Sequence, residues 1–508
     1  MPPSAEPPRA RPAAAPPRPA AGVRRAVRPV AGGSPADAAR TPHYWRWLLP
    51  VLVVLATLTR LPSFTRSLWN PDEGFLATQA RQLAEGGVLY DTVVDRKPPL
   101  LPWLYQGAFA LFGDESLWPL KAAAVAATVA TALLLASFAR RRWGDGAGWT
   151  AGVLVVLLSV GLNPEDTQAA TFEVFMLPWT AAAVWCADRR RWAWAGLAVA
   201  LAALTKQTGG AVLVPVLFLL FRSRAGGFAL LRLLAAYALP IGAVALALEP
   251  GRFCYWIATG SGSYASVAGA ELLAAARAAG STAILTVAAA PLLVALVHVT
   301  RRLRRPLRAT DVWVWLGSSG LAVAVGFQFY GHYFLQLVPP LALLGTAALT
   351  RLPPRPATAA LGGTALLCAG FVTWGLTAER PELEHARKVS AALKRYTGPE
   401  DRVLVWGMHP EDYWLADREP ASRYLTAGFL TNYSGGRGGV RTGQRHAMPG
   451  AWYHFRRDLA ASEPEIVVDD SRGKPYRPER VPALRRYLTG HYERAGTVDG
   501  AVFWVRRD

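Results

Sequence analysis

Charged residues are scarce in this chain of 508 residues: Asp, Glu, Lys and Arg together make up 18%, while 52% of the residues are hydrophobic. A soluble enzyme of this length rarely has so few charges, and the mean hydropathy is positive at +0.19. Cysteines are also few. Cys186, Cys254 and Cys368 are scattered, so their spacing indicates neither a disulfide framework nor a metal site. A membrane protein is favoured.

Acidic residues are fewer than basic ones, 35 against 55, which gives a formal net charge of +20 at pH 7. A basic chain can bind nucleic acid, but here the arginines form clusters between apolar runs and do not line one polar face. Nucleic acid is therefore excluded as a main partner, and the lipid bilayer is the expected environment.

Apolar runs long enough to cross a hydrocarbon core of ~30 Å recur along the chain. Short basic loops resist translocation, so an even number of crossings must separate neighbouring basic clusters. This rule predicts about eleven transmembrane helices, a cytoplasmic N-terminus and an outward-facing C-terminal region. The clusters are Arg140–Arg142, Arg189–Arg191, Arg222 with Arg224, Arg301–Arg308, and Arg351 with Arg355.

Composition divides the chain into three regions. Residues 1–42 are mostly Pro, Ala and Arg, which predicts a disordered basic cytoplasmic tail. Residues 43–378 are the predicted transmembrane domain, and its long first outer loop, residues 61–118, is typical of a functional segment. Residues 379–508 are more charged and predict a small extracytoplasmic α/β domain. Its strand-like runs are 402–406, 465–468 and 501–505.

The first outer loop contains two motifs that could carry chemistry. Asp72 and Glu73 follow an Asn-Pro pair that is typical of a helix start, where carboxylates can simply stabilise the helix dipole. Alternatively, such a carboxylate takes a proton from an acceptor hydroxyl. Lys97 precedes two prolines and an aromatic amphipathic segment, residues 103–112, so it is held in extended backbone. There it could bind a phosphate or extend to the membrane interface.

Further charged groups occur in the later outer loops. Glu173 begins an apolar helix, and Glu165 and Asp166 are rivals for the same acidic role. Lys206 and Gln207 lie between two short apolar runs. One long helix there would put every later basic cluster outside, so the sequence predicts an outward-facing turn or a broken helix. A lysine within an apolar stretch is costly unless it is paired or hydrated, which favours a functional role.

Three more residues are weaker candidates. Arg252 lies in a later outer loop, where it could contribute to phosphate binding. His332 and Tyr333 occupy a very short outer turn, in which a histidine is often only an interface residue. No aspartate triplet or histidine cluster indicates a cofactor, although two carboxylates beside a phosphate could recruit a divalent metal ion.

Taken together, these features resemble the GT-C superfamily of integral-membrane glycosyltransferases, particularly the protein O-mannosyltransferases and lipid A aminoarabinose transferases. The resemblance covers about residues 45–350. The matching features are Asp72-Glu73, Lys97-Pro98-Pro99, an acid in the second outer loop, Thr205-Lys206, and the segment from His332-Tyr333 to Pro339-Pro340.

The resemblance implies that a sugar moves from a polyprenyl-phosphate donor to a lipid, glycan or protein acceptor, with inversion, at the outer face of the cytoplasmic membrane. It favours Asp72 as the general base. The other predicted catalytic residues are Glu73 and Glu173, the predicted phosphate ligands are Lys97, Lys206 and Arg252, and the remaining site candidates are Asp166, Gln207, His332 and Tyr333. The second-loop acid is more usually Asp in the family, which leaves the role of Glu173 open.

Rival classes share some of these features. A transporter or flippase of lipid-linked sugars would also have many helices and embedded charges, but the sequence shows no internal repeat, which many such folds have. An O-antigen-ligase-like enzyme would usually carry its large loop late in the chain. A scaffold without activity would not need several acids and cations on one face.

Overall fold

The computed structural model describes residues 43–261, 269–433 and 441–507. The predicted basic tail, residues 1–42, lies outside the described residues. Apolar helices fill the first part of the chain, and a five-stranded sheet forms near its C-terminal end. The predicted fold class, a helical polytopic membrane protein with a small C-terminal α/β region, is confirmed.

The helices before residue 378 include the predicted membrane spans. In chain order they are α1 (Tyr44–Phe64), α2 (Pro71–Ala84), α3 (Leu100–Phe112), α4 (Trp118–Trp143), α5 (Asp145–Leu158), α6 (Pro164–Thr167), α7 (Phe172–Asp188), α8 (Trp192–Thr205), α9 (Leu213–Arg222), α10 (Gly227–Ala247), α11 (Pro250–Ile257), α12 (Glu271–Ala288), α13 (Ala290–Val297), α14 (Thr310–Ala324), α15 (Val338–Leu349) and α16 (Pro354–Thr377). In the described ranges, six helices are long and apolar enough to cross a membrane, and shorter apolar helices accompany them. The number of crossings stays a prediction.

Close approach of helix backbones holds this bundle together, because lipid removes the hydrophobic force that would otherwise drive helices together. Gly196 on α8 faces the backbone carbonyl of Leu233 on α10, and a Cβ at this glycine would clash with that oxygen. Gly148 on α5 similarly leaves room for the Tyr44 hydroxyl of α1. Larger side chains at either position would force the helices apart.

The break predicted at Lys206 is confirmed. Helix α8 ends at Thr205, and a 3₁₀ turn over Gln207–Val212 precedes α9. Lys206 has extended backbone, with φ −152° and ψ 136°. Its side chain can therefore leave the helix axis and enter the outer loops.

The first outer loop folds into α2 and α3, as its sequence pattern predicts. The Asn70 side chain accepts a hydrogen bond from the backbone N–H of Asp72 at 2.8 Å, and Pro71 takes the first helical position. Helix α3 begins at Leu100, directly after the two prolines that follow Lys97. The sequence thus places Asp72 at a capped helix start and Lys97 in the connection between two helices.

The C-terminal region contains a mixed sheet. Its strands are β1 (Arg402–Trp406), β2 (Glu419–Pro420), β3 (Ile466–Asp469), β4 (Tyr492–Val498) and β5 (Ala501–Arg506), and its helices are α17 (Pro381–Tyr396), α18 (Glu411–Ala416), α19 (Gly428–Thr431), α20 (Ala451–Ser462) and α21 (Pro482–His491). The strand order is β2-β1-β3-β5-β4, with β1 parallel to β2 and β3 and the other pairs antiparallel. The three strands expected from the sequence are present; β2 and β4 were not expected.

This region packs onto the first outer loop through α18 and α2. A Cβ at Gly74 would clash with the Cα of Glu411, so the glycine lets the two helices touch. Arg81 pairs with Asp114 and with Asp417, the latter at 2.8 Å. The Trp414 indole donates to the carbonyl of Asp114 at 3.0 Å. Contacts with the C-terminal region therefore hold α2, the helix that carries Asp72, in place.

Candidate active site between the outer loops

Hydrogen bonds join the first outer loop to the second outer loop, residues 159–171 between α5 and α7. The Trp69 indole donates to the carbonyl of Pro164 at 2.9 Å, and the Asn70 amide donates to the carbonyl of Glu165 at 3.2 Å. Glu73 is fully buried, and its carboxylate accepts hydrogen bonds from the backbone N–H groups of Trp69 and Ala170, each at 2.7 Å. Asp72 is therefore held beside the second loop.

Two buried cations brace the same region through backbone carbonyls. Arg60 is 1% exposed, and its guanidinium donates to three consecutive carbonyls of the second loop. Lys121 is equally buried and donates to carbonyls at the end of α1 and just after it. The acceptors are Thr167, Gln168 and Ala169 for Arg60, and Ser63, Arg66 and Ser67 for Lys121. Both cations thus stabilise the loops beneath the site.

Asp72 and Lys97 form the partly open side of the site. Lys97 Nζ lies 3.6 Å from Asp72 Oδ2, and the two side chains are 29% and 40% exposed. The ammonium group also lies 4.3 Å from the centroid of the Phe172 ring, a cation–π contact. The Tyr90 hydroxyl donates to the carbonyl of Lys97 at 2.9 Å and fixes its backbone.

The surrounding loops remove part of the water around Asp72, and this desolvation by itself raises the pKa of its carboxyl group. Nearby positive charges, that of Lys97 foremost, outweigh this effect and hold the pKa below its usual value. His332 and Lys206 contribute in the same direction. Asp72 is therefore ionised at neutral pH, and it interacts electrostatically with residues from three different loops.

Glu173, Lys206 and His332 form the buried side. Lys206 Nζ contacts Glu173 Oε1 directly, and Lys206 lies 3.8 Å above the centroid of the Tyr333 ring. His332 Nδ1 lies 2.8 Å from Asp166 Oδ1, and its Nε2 is 3.9 Å from Glu173 Oε1. Each charge has an opposite partner, as a site surrounded by apolar helices requires.

The structure thus brings together most residues singled out from the sequence. Those that share this site are Asp72, Lys97, Asp166, Glu173, Lys206, His332 and Tyr333. Arg252 instead pairs with Asp91 at 2.8 Å and with Glu249 at 2.6 Å. Gln207 donates to the carbonyls of Arg96 and Ile257, and Glu165 Oε2 faces Arg380 at 3.4 Å.

Sequence reasoning missed two contributors to the site. Arg60 lies at the end of an apolar helix, a position where arginine commonly extends into the interface, and only the fold shows that it turns inward. Phe172 was not singled out, because an aromatic residue in an apolar run carries no local signal. The cation–π contact with Lys97 depends on two segments that are far apart in sequence.

We predict that Glu73→Ala destabilises the protein, because two buried N–H groups lose a charged acceptor, each bond being worth about 1.5–3 kcal/mol. Thermal unfolding in detergent should show a lower midpoint than for the wild type. Asp72→Asn, at a partly exposed position, serves as the control and should change the midpoint little. Equal stability of the Glu73→Ala variant and the wild type would contradict the anchoring role.

The chain is similar to known proteins in sequence and in structure. Residues 96–250 match the family model described as dolichyl-phosphate-mannose-protein mannosyltransferase. The structure is similar to that of ArnT from Cupriavidus metallidurans bound to undecaprenyl phosphate, with a TM-score of 0.60 and 13% identity over 91% of this chain and 98% of that chain. The apo form of ArnT from the same organism also has a TM-score of 0.60, with 14% identity over 91% and 97% of the two chains.

A third similar structure is the archaeal oligosaccharyltransferase AglB from Archaeoglobus fulgidus, in complex with an inhibitory peptide and a dolichol-phosphate. Its TM-score is 0.51 at 13% identity, and the alignment covers 92% of this chain and 75% of that chain. At these identities the structural likeness establishes the fold. The family match covers residues 96–250, and the structural likeness to ArnT extends over 91% of the chain.

Proposed function

We propose that the chain is a membrane glycosyltransferase that takes a sugar from a polyprenyl-phosphate donor and transfers it, with inversion, to a lipid, glycan or protein acceptor at the outer membrane face. The observation that carries the proposal is the pairing of Lys97 with the ionised carboxylate of Asp72 at 3.6 Å, with Lys206 near enough that its charge also lowers the pKa of this carboxyl group. The bound undecaprenyl phosphate and dolichol-phosphate of the two similar enzymes support this donor class.

The lysines suit a lipid-linked phosphate. Lys97 is 29% exposed and can exchange its contact with Asp72 for a phosphate oxygen. Lys206 is buried against Glu173 and supplies a second positive charge deeper in the site. Apolar helices flank both residues and provide a surface for an isoprenoid chain. We therefore assign donor phosphate binding to the two lysines.

Asp72 is the proposed general base. In the transfer step, the acceptor oxygen forms a bond to the anomeric carbon while the bond from that carbon to the phosphate oxygen breaks. The acceptor proton goes to Asp72, and polyprenyl phosphate leaves with the bonding electrons, stabilised by the lysines. In an oxocarbenium-like transition state, the bond to the phosphate is largely broken before the acceptor oxygen loses its proton. The proton is acidic by then, so a carboxylate with a low pKa is an adequate base.

The remaining charged residues have positioning roles in this proposal. Glu173 orients Lys206 by direct contact, and Asp166 orients His332 through its Nδ1. His332 then presents Nε2 towards Glu173, which links the turn before α15 to the start of α7. The arrangement needs no cofactor, and a divalent ion at Asp72 remains a separate hypothesis.

Asp72→Asn is expected to lower the rate of sugar transfer by at least ~10²-fold, because the amide cannot accept the acceptor proton. The rate is measured with purified protein in detergent and a panel of radiolabelled polyprenyl-phosphate sugars. Asp114→Asn is the matched control, since Asp114 is also a first-loop acid in an ion pair, with a side-chain exposure of 42% against 40% for Asp72.

Full transfer activity in the Asp72→Asn variant would exclude Asp72 as the base. A wild-type protein that moves lipid-linked sugars across liposome membranes, without consuming any donor of the panel, would favour the flippase alternative.

Orientation in the membrane follows from the basic clusters, so we propose that the N-terminus is cytoplasmic and the C-terminal sheet is outside. Arg304→Cys and Lys474→Cys, both at exposed positions, test this in a background in which the exposed Cys254 is replaced by serine. A membrane-impermeant maleimide should label residue 474 in intact cells and residue 304 only after permeabilisation. The opposite pattern would reverse the assignment of the catalytic face.

A further inference from the structure

A second cluster of chemically active side chains lies at one edge of the C-terminal sheet, outside the site between the loops. His409 follows β1 and Asp470 follows β3, and these strands are parallel, so their carboxyl ends meet at the same edge. His385, on α17, is the third member of the cluster. All three residues are buried, and one ligand atom from each lies within 4.8 Å of the others.

Both histidines are oriented by a carboxylate on the nitrogen that points away from the cluster. His385 Nδ1 lies 3.0 Å from Asp499 Oδ2, and His409 Nδ1 lies 3.0 Å from Glu411 Oε1. Both Nε2 atoms consequently face Asp470, at 3.0 Å for His385 and 3.6 Å for His409. A carboxylate that holds Nδ1 while Nε2 faces inward is the usual arrangement around a metal-binding histidine.

Asp470 supplies a second, independent observation. The residue is 1% exposed, and its Oδ2 atom is buried without a hydrogen-bond partner among the residues that the structure describes. A buried carboxylate oxygen in that state is costly unless a further positive group binds it. The atom is on the same side of the carboxylate as His409 Nε2, so a cation between the two would satisfy both.

We propose that His385 Nε2, His409 Nε2 and the Asp470 carboxylate bind one divalent zinc ion. Two imidazoles and one carboxylate are zinc ligands, whereas Mg²⁺ and Ca²⁺ prefer oxygen ligands alone. Glu382 is the proposed fourth ligand, because its Oε2 lies 3.6 Å from His409 Nε2 at the open rim. Tetrahedral coordination is then complete within the C-terminal region.

Arg472 contacts two of the proposed ligands. Its guanidinium donates to His409 Nε2 at 2.8 Å and pairs with Glu382 at 2.6 Å. Arg472 is 28% exposed at its side chain, so the guanidinium can move into solvent when zinc enters.

The site would stabilise the face that supports the catalytic helix. The segment after His409 packs on α2, where the Thr78 hydroxyl contacts the carbonyl of Pro410 at 3.4 Å and Glu411 touches Gly74. Helix α2 begins one residue before Asp72. A zinc ion that fixes His409 therefore ties the C-terminal sheet to the helix that carries the proposed base.

The test is the zinc content of the full-length protein, purified in detergent without chelator and measured by inductively coupled plasma mass spectrometry. We expect about one zinc per chain, as for a site with four protein ligands. Chelation should lower the thermal midpoint by several degrees, and zinc should restore it while magnesium should not. These measurements need neither a variant nor transfer activity, so they are independent of the proposed function.

Variants locate the site. Asp470→Asn and the milder Glu382→Gln should both reduce zinc content and remove the zinc-dependent change in the midpoint. His491→Gln is the control, because His491 is an exposed histidine at the end of α21. This variant should bind as much zinc as the wild type does. Wild-type protein with no zinc and no response to added zinc would overturn the proposal. So would full zinc binding by Asp470→Asn, which would indicate an adventitious ion only.

Discussion

Glu73 carries a buried negative charge, and the two backbone N–H groups that satisfy it belong to different parts of the chain. One is that of Trp69, just before α2, and the other is that of Ala170 in the second outer loop. A buried carboxylate without such donors would cost several kcal/mol, so the loops must meet for the fold to be stable. That requirement places Asp72 next to the second loop, and the rest of the site follows from this placement.

The membrane imposes the second condition. Charges near a hydrocarbon core persist only when they are paired, so Lys206 contacts Glu173 and Arg60 is surrounded by carbonyls. Lys97 is the more exposed of the two site lysines and can change partners. Under the proposed function, an anionic donor would meet Lys97 beside the ionised carboxylate of Asp72.

Much of this could be predicted from local sequence. The Asn-Pro start of α2, the prolines after Lys97 and the interruption at Lys206 each have a nearby chemical cause, and each is present in the structure. What could not be predicted depends on long-range contacts. Arg252 carries the same charge as the two site lysines, yet it pairs with Asp91 in another loop. His385, His409 and Asp470 are spread over more than eighty residues, so no spacing pattern reveals their cluster.

A structure of the protein with undecaprenyl phosphate tests the central claim, that the docking of the two outer loops creates a lipid-phosphate site. Electron cryomicroscopy should show the phosphate within ~4 Å of both Lys97 Nζ and Lys206 Nζ, an ion-pair distance. A different result would contradict the account: a phosphate bound in the 640 Å³ cavity at the opposite, arginine-rich end of the bundle, lined by Arg142, Arg190, Arg222, Arg308 and Arg351.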